Sequence, residues 1–124
     1  MDLIIGGAYQ GKLDWAREAY CLTEKDVFTC TDDSLDFSRR CIDRLEKFTL
    51  ACVKQGTDPV TYFEEHGPEW ADSVLICQDI SCGVVPMSAE LRSWRNETGR
   101  LCQYLARRAR RVSRIFCGLE QRLK

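Results

Sequence analysis

The chain has 124 residues, 44% hydrophobic and 30% charged, a length and balance expected of one globular domain over residues 1–124. Its 18 basic and 19 acidic side chains leave a formal charge of −1, so neither a polyanion binder nor an acidic tail is written into the total. No apolar run approaches the ~20 residues that span a bilayer, and the opening Met1-Asp2-Leu3 lacks the basic start of a signal peptide, so a cytoplasmic protein without membrane contact is expected.

In chain order, Leu3-Ile4-Ile5 is a short apolar run closed by Gly6-Gly7, which predicts a buried strand and a tight loop. Lys12 to Tyr20 places Leu13, Ala16, Ala19 and Tyr20 at helical spacing. Val27 to Cys30 is β-branched and aromatic, a second strand. Thr31 to Ser34 supplies turn and capping chemistry for a longer helix whose stripe is Phe37, Cys41, Leu45, Phe48 and Cys52, ending near Gly56. Asp58-Pro59 opens a short helix through about Glu65, stopped by Gly67-Pro68. Ser73 to Cys77 is the clearest strand. Pro86 and Ser88 open the longest helix, with Leu91, Trp94, Thr98, Leu101 and Leu105 at alternating spacings of 3 and 4. Val112 to Cys117 is a last strand, ended by Gly118. Strands alternating with helices predict an α/β fold, a parallel sheet of about four strands flanked by helices.

Eight cysteines are spread along the chain without a Cys-x-x-Cys pair. Buried, inert thiols are the expectation, with a disulfide framework or a zinc site as the alternatives. Charge is unevenly placed: residues 1–85 carry 8 basic and 16 acidic side chains, residues 86–124 carry 10 and 3. That asymmetry suits a nucleic-acid face, an anionic small ligand or a subunit contact, and does not choose among them. The arginines from Arg107 to Arg114 close a helix whose apolar face is committed to the core, where cations complement the helix dipole, so no nucleic-acid partner is expected.

The segment Gly6-Gly7-Ala8-Tyr9-Gln10-Gly11-Lys12 matches G-x-x-x-x-G-K between a predicted strand and a predicted helix. In such a loop glycines let backbone N–H groups turn inward, the helix start adds partial positive charge, and the lysine reaches the terminal phosphates. A plain glycine turn before a helix is the alternative. The next position normally carries the Ser or Thr whose hydroxyl holds magnesium. Here it is Leu13, which cannot ligate a metal, so magnesium binding is doubtful. Asp79, just past the strand ending at Cys77, is the well-placed candidate for a metal-holding aspartate.

The second half narrows the reading. Asp79-Ile80-Ser81-Cys82-Gly83-Val84-Val85-Pro86, then Arg92, Trp94-Arg95, Gly99-Arg100, Gln103 and Leu105-Ala106, with a closing strand to Gly118, resembles the bifunctional adenosylcobinamide kinase / adenosylcobinamide-phosphate guanylyltransferase family of cobalamin biosynthesis. The loop from Gly6 to Leu13 is similar to that family's Gly-Gly-Ala-Arg-Ser-Gly-Lys-Ser. The resemblance covers residues 2–20 and about 74–118, and implies a P-loop NTPase-like fold, GTP or ATP as cofactor, a corrinoid substrate and a homo-oligomer, often a trimer.

Departures from the family pattern point to eroded chemistry. The family histidine that accepts the guanylyl group corresponds to Arg44. His66, the sole histidine, falls in a poorly matched stretch and reads as a solvated surface side chain. The chain looks too short for the family's middle strand and helix, where a second acidic motif belongs. Nucleotide binding is expected at Gly6, Gly7, Ala8, Tyr9, Gln10, Gly11, Lys12 and Leu13. Arg92, Arg95 and Arg100 are secondary candidates for phosphate or subunit contact. Asp32, Asp33 and Asp36 follow the second strand, on the edge where α/β ligands bind, and cap the next helix in the plainer reading. A cobalamin-biosynthesis-type nucleotide-binding protein with impaired chemistry is one expectation; a non-catalytic structural or regulatory subunit with a vestigial loop is the other.

Overall fold

A computed structural model describes residues 1–80 and 88–124. Residues 81–87, which carry part of the resembling segment and the Pro86 of the predicted helix start, lie outside the described residues. The elements are β1 (Asp2–Gly6), α1 (Lys12–Tyr20), β2 (Val27–Thr29), β3 (Cys41–Asp43), α2 (Leu45–Gln55), α3 (Pro59–Glu65), β4 (Val74–Gln78), α4 (Ala89–Arg108), β5 (Arg111–Phe116) and β6 (Leu119–Arg122). The fold is α/β, as expected, with one sheet in the order β2-β3-β4-β1-β5-β6. Among the described residues every pairing is parallel except that of β5 with β6.

The period-two alternation of the central strands splits the core between the two faces. Leu3, Ile42, Leu75 and Val112 join Phe48, Phe63, Leu101 and Leu105 under α2, α3 and α4. Ile4, Cys41, Val74, Ile76 and Ile115 gather with Ala16 of α1 on the opposite face. β1 is hydrogen-bonded on both sides, Leu3 lying opposite Leu75 of β4 and Val112 of β5. Helices on both faces explain why these strands read as continuous apolar runs.

Among the described residues six strands replace the expected four or so, and both additions have a physical cause. Cys41, Ile42 and Asp43 are all buried in β3, between β2 and β4, whereas the spacing of Phe37, Cys41, Leu45 and Phe48 predicts continuous helix. The helix starts only at Leu45, after Arg44 takes a left-handed conformation (φ 57°), so a three-residue strand and a helix share what looks like one stripe. Together β3 and α2 fill the middle of the chain. β6 is an edge strand of mostly exposed residues and mixed polarity, with no apolar run to announce it. It is joined to β5 by Cys117 and Gly118, both at positive φ (53° and 74°), the signature of a two-residue hairpin turn that keeps the strands' twist.

Of the predicted helix stripe in α4, Thr98, Leu101 and Leu105 are buried, while Leu91 is exposed. Ser88 caps this helix, its hydroxyl accepting from the Leu91 N–H at 3.0 Å. Cys30, Cys41, Cys52 and Cys77 are buried free thiols, but Cys21 and Cys117 are exposed, so inertness by burial holds for only part of the set. Burial pushes the Cys41 thiol up to about 12, which keeps it protonated. Among the described residues no group of three or more His, Cys, Asp or Glu is placed to hold a metal ion, and no helix is long and apolar enough to cross a membrane.

Candidate functional site

The strand-loop-helix expected at residues 3–20 is present. β1 ends at Gly6, where a side chain has no room: a Cβ would lie 2.6 Å from the carbonyl oxygen of Ile115 in β5. The loop then runs to Gly11, which is left-handed (φ 84°) and precedes α1 without offering it a side-chain cap. The helix ladder begins with the Trp15 N–H donating to Gly11 O at 2.9 Å. The opening N–H groups of a helix lack intrahelical acceptors and carry partial positive charge, which is what an anion needs.

Lys12, the first helical residue, folds back so that its Nζ donates to Gly7 O at 2.6 Å. Burial holds its pKa below the ordinary lysine value, against the opposing pull of Glu46 and Asp43. Tyr9 also has positive φ (60°), and its side chain is fully exposed. Gln10 is anchored at two atoms: its carbonyl accepts from the Gly118 N–H at 2.9 Å, and its Oε1 accepts from the Cys117 N–H at 2.7 Å.

A cavity of about 620 Å³ opens over this loop. Ala8, Tyr9, Gln10, Gly11, Lys12 and Leu13 line one side; Asp43, Arg44, Glu46 and Lys47 face them from β3 and α2, with Gln78 and Trp94 completing the wall. This is the carboxyl edge of the parallel strands, where open α/β sheets bind ligands. Asp43 is 7% exposed and Glu46 4%. The Arg44 N–H donates to Asp43 Oδ1 at 2.8 Å, yet burial raises the Asp43 pKa above the ordinary aspartate value. Glu46 Oε1 accepts from the Gln78 N–H at 2.9 Å, tying α2 to the end of β4. The Trp94 indole N–H donates to Glu46 O at 2.8 Å and to Thr49 Oγ1 at 3.2 Å, which fixes the ring at the cavity wall.

Sequence reasoning overlooked Asp43 and Glu46. A carboxylate directly after a buried Cys-Ile pair is the signal that would find Asp43, once the pair is read as strand. Asp79, the aspartate favoured from sequence, donates its backbone N–H to Gly6 O at 2.8 Å. It lines a different, smaller cavity of about 220 Å³, together with Arg95, Cys77 and Cys102. Arg92 is exposed near the start of α4 and lines neither of these cavities. Arg100 binds Asp58 in bidentate fashion, at 2.9 and 3.1 Å, and Glu97 at 2.8 Å, joining α4 to the cap of α3. Asp32 and Asp36 accept from the N–H groups of Ser34 and Ser38 two residues on. They cap turns within the β2–β3 loop rather than the helix expected there.

Arg44, placed by resemblance on the guanylyl-accepting histidine, stands between the third strand and its helix and lines the main cavity. His66 is half-buried at the end of α3, stacked on Tyr62 with ring centroids 4.2 Å apart. Its Nδ1 lies 2.7 Å from Tyr62 O, so it is held within α3 rather than freely solvated. Of the distal arginines, Arg108 lies over the Tyr104 ring at 3.8 Å, Arg110 pairs with Asp2 at 3.6 Å, and Arg111 pairs with Glu120.

No curated protein matches the chain closely enough to add to this geometry. A family model described as cobinamide kinase / cobinamide phosphate guanyltransferase matches residues 50–123, most of α2 through β6. The loop from Gly6 to Leu13 and Asp43 precede the matched span, so their interpretation rests on geometry. The match covers more than half of the 124 residues, and the chain belongs to the cobinamide kinase / cobinamide phosphate guanyltransferase family.

Proposed function

We propose that this family member holds the phosphates of GTP or ATP in the loop from Gly6 to Leu13, as a cobalamin-biosynthesis-type protein whose magnesium and guanylyl-transfer chemistry is impaired. The observation that carries the reading is the loop itself. A left-handed Gly11, an uncapped helix start and Lys12 converge on one cavity at the carboxyl edge of the sheet. Phosphoryl chemistry is mostly positioning and electrostatics, so a backbone cradle with a lysine is its central part. A corrinoid as second substrate and assembly into a homo-oligomer follow from family membership alone.

Magnesium takes oxygen donors and binds through one or two carboxylates plus phosphate oxygens. Leu13 offers no donor; Asp43 is the carboxylate at the end of a strand on the phosphate-loop cavity, and Glu46 already accepts a hydrogen bond from Gln78. A metal-nucleotide would therefore rest on Asp43, phosphate oxygens and water. Guanylyl transfer through an enzyme-bound histidine has no support at the cavity, where Arg44 stands in the corresponding place.

Calorimetric titration of GTP and ATP, with magnesium and with EDTA, tests this reading. Binding that persists in EDTA and weakens at least about tenfold in Lys12→Ala, a loss of ~1.4 kcal/mol or more, is the expected result. Absence of binding at millimolar nucleotide overturns it. The second reading, a structural or regulatory subunit with a vestigial loop, draws on a specific feature: two nearly buried carboxylates, Asp43 and Glu46, line the cavity that phosphates would enter. It predicts no nucleotide binding and co-purification with a separate family enzyme.

A further inference from the structure

The loop between β1 and α1 is braced from one side by the β5–β6 hairpin. At its start, Gly6 lies so close to Ile115 of β5 that a Cβ would meet the Ile115 carbonyl oxygen at 2.6 Å. At its end, a Cβ on Gly11 would lie 3.5 Å from the Cα of Gly118. Between these contacts, Gln10 receives both N–H groups of the hairpin's two central residues: Gly118 N–H on its carbonyl at 2.9 Å and Cys117 N–H on its Oε1 at 2.7 Å. At a hairpin tip such N–H groups ordinarily turn to water. Here two consecutive donors converge on one residue 107 positions away in sequence.

The hairpin has its own means of closure. Phe116 pairs with Leu119 and Ile115 with Glu120, and the left-handed Cys117 and Gly118 form the two-residue turn that such pairing favours. The turn thus gains little from Gln10, whereas the loop gains a fixed point. Tyr9 and Gly11, on either side of Gln10, are both at positive φ, a conformation with a cost at Tyr9 that persists where surrounding contacts hold it. The side chain of Gln10 is the only one from the loop that reaches the hairpin among the described hydrogen bonds.

We propose that Gln10 is a positioning residue: clamped by the Cys117–Gly118 turn, it holds the loop's N–H groups in the arrangement that receives phosphate. The proposal rests on the phosphate-site reading above and adds that the edge hairpin, remote in sequence, belongs to that site. The Gln10 side chain acts by fixing the loop backbone rather than by holding the ligand.

The test uses the full chain with inorganic pyrophosphate as the probe, comparing the unsubstituted protein with Gln10→Met, which matches the side chain's length and removes its acceptor, and with Gln10→Leu as a second acceptor-free variant. Amide NMR spectra report the Cys117 N–H and the loop amides directly, and thermal melting reports folding. In both variants the Cys117 amide resonance should move upfield and the pyrophosphate Kd should rise about five- to tenfold, the effect of losing the bond to Cys117 together with the long Nε2 contact to Ala8 O at 3.5 Å. The melting temperature should stay within about 3 °C of the unsubstituted value. An unchanged Kd in a folded variant whose Cys117 amide has moved overturns the proposal while leaving the phosphate site intact. Absence of pyrophosphate binding by the unsubstituted chain overturns both.

Discussion

Replacing Asp43 by asparagine should stabilise the protein at neutral pH. The carboxyl group is 7% exposed, and the cost of burial outweighs the Arg44 N–H bond and the attraction of Arg44 and Lys12, leaving its pKa raised above 3.8. A raised folded-state value means that the unfolded chain ionises first. The wild-type penalty is therefore absent below pH ~3.8, grows as pH rises towards the folded-state pKa and is constant above it. Asp43→Asn keeps an Oδ1 acceptor for the Arg44 N–H and removes the buried charge. The gain at pH 7 should be on the order of 1 kcal/mol, the scale of relieving one poorly solvated polar group. In a domain of this size that corresponds to about 3–5 °C in Tm. Urea unfolding of both proteins between pH 3.5 and 8 measures the difference directly. Loss of stability at pH 7, or a difference that does not change with pH, refutes the reasoning.

Two further outcomes follow from contacts in and around the site. Gly6→Ala should lower stability by about 1–3 kcal/mol, because its methyl group would meet the Ile115 carbonyl and force β1 from β5; denaturant unfolding showing no loss would mean that these strands separate freely. Arg100→Ala should leave nucleotide affinity unchanged in calorimetry, since its guanidinium is engaged by Asp58 and Glu97 at a half-exposed position. Its stability cost should stay below about 1 kcal/mol, and a tenfold loss of affinity would place Arg100 in the site after all.

What could be read from sequence depended on how locally each feature is encoded. The strand-loop-helix around Lys12 is legible because the glycines, the lysine and the apolar run are contiguous. β3 is not, because its three buried residues fall at spacings that a helix would also produce. Pairing with β2 on one side and with Val74 and Leu75 of β4 on the other decides the matter, and the latter partner lies more than thirty residues away. Asp43 shares that ambiguity. Asp79 stands out because Val74 to Cys77 is an unmistakable strand, but the chain beyond Gln78 leads to a different cavity. Gln10 carries no signal at all as a bare letter in the loop, since its partners are backbone N–H groups at the far end of the chain.

The placement of β1 has a consequence for how the molecule opens. β1 is held by neighbours on both sides, whereas β2 and β6 form the margins of the sheet and β3, which ends at Asp43, has only three residues. Local opening starts where few contacts must be broken, so the margins separate while the root of the loop remains closed. The lysine-bearing side of the cavity is thus rooted in a strand held on both sides, whereas Asp43, at the end of β3, has its strand partner, Thr29, on the marginal β2. Thermal fluctuation would alter the distance between Lys12 and Asp43 by moving the aspartate, giving the cavity one fixed jaw and one yielding one.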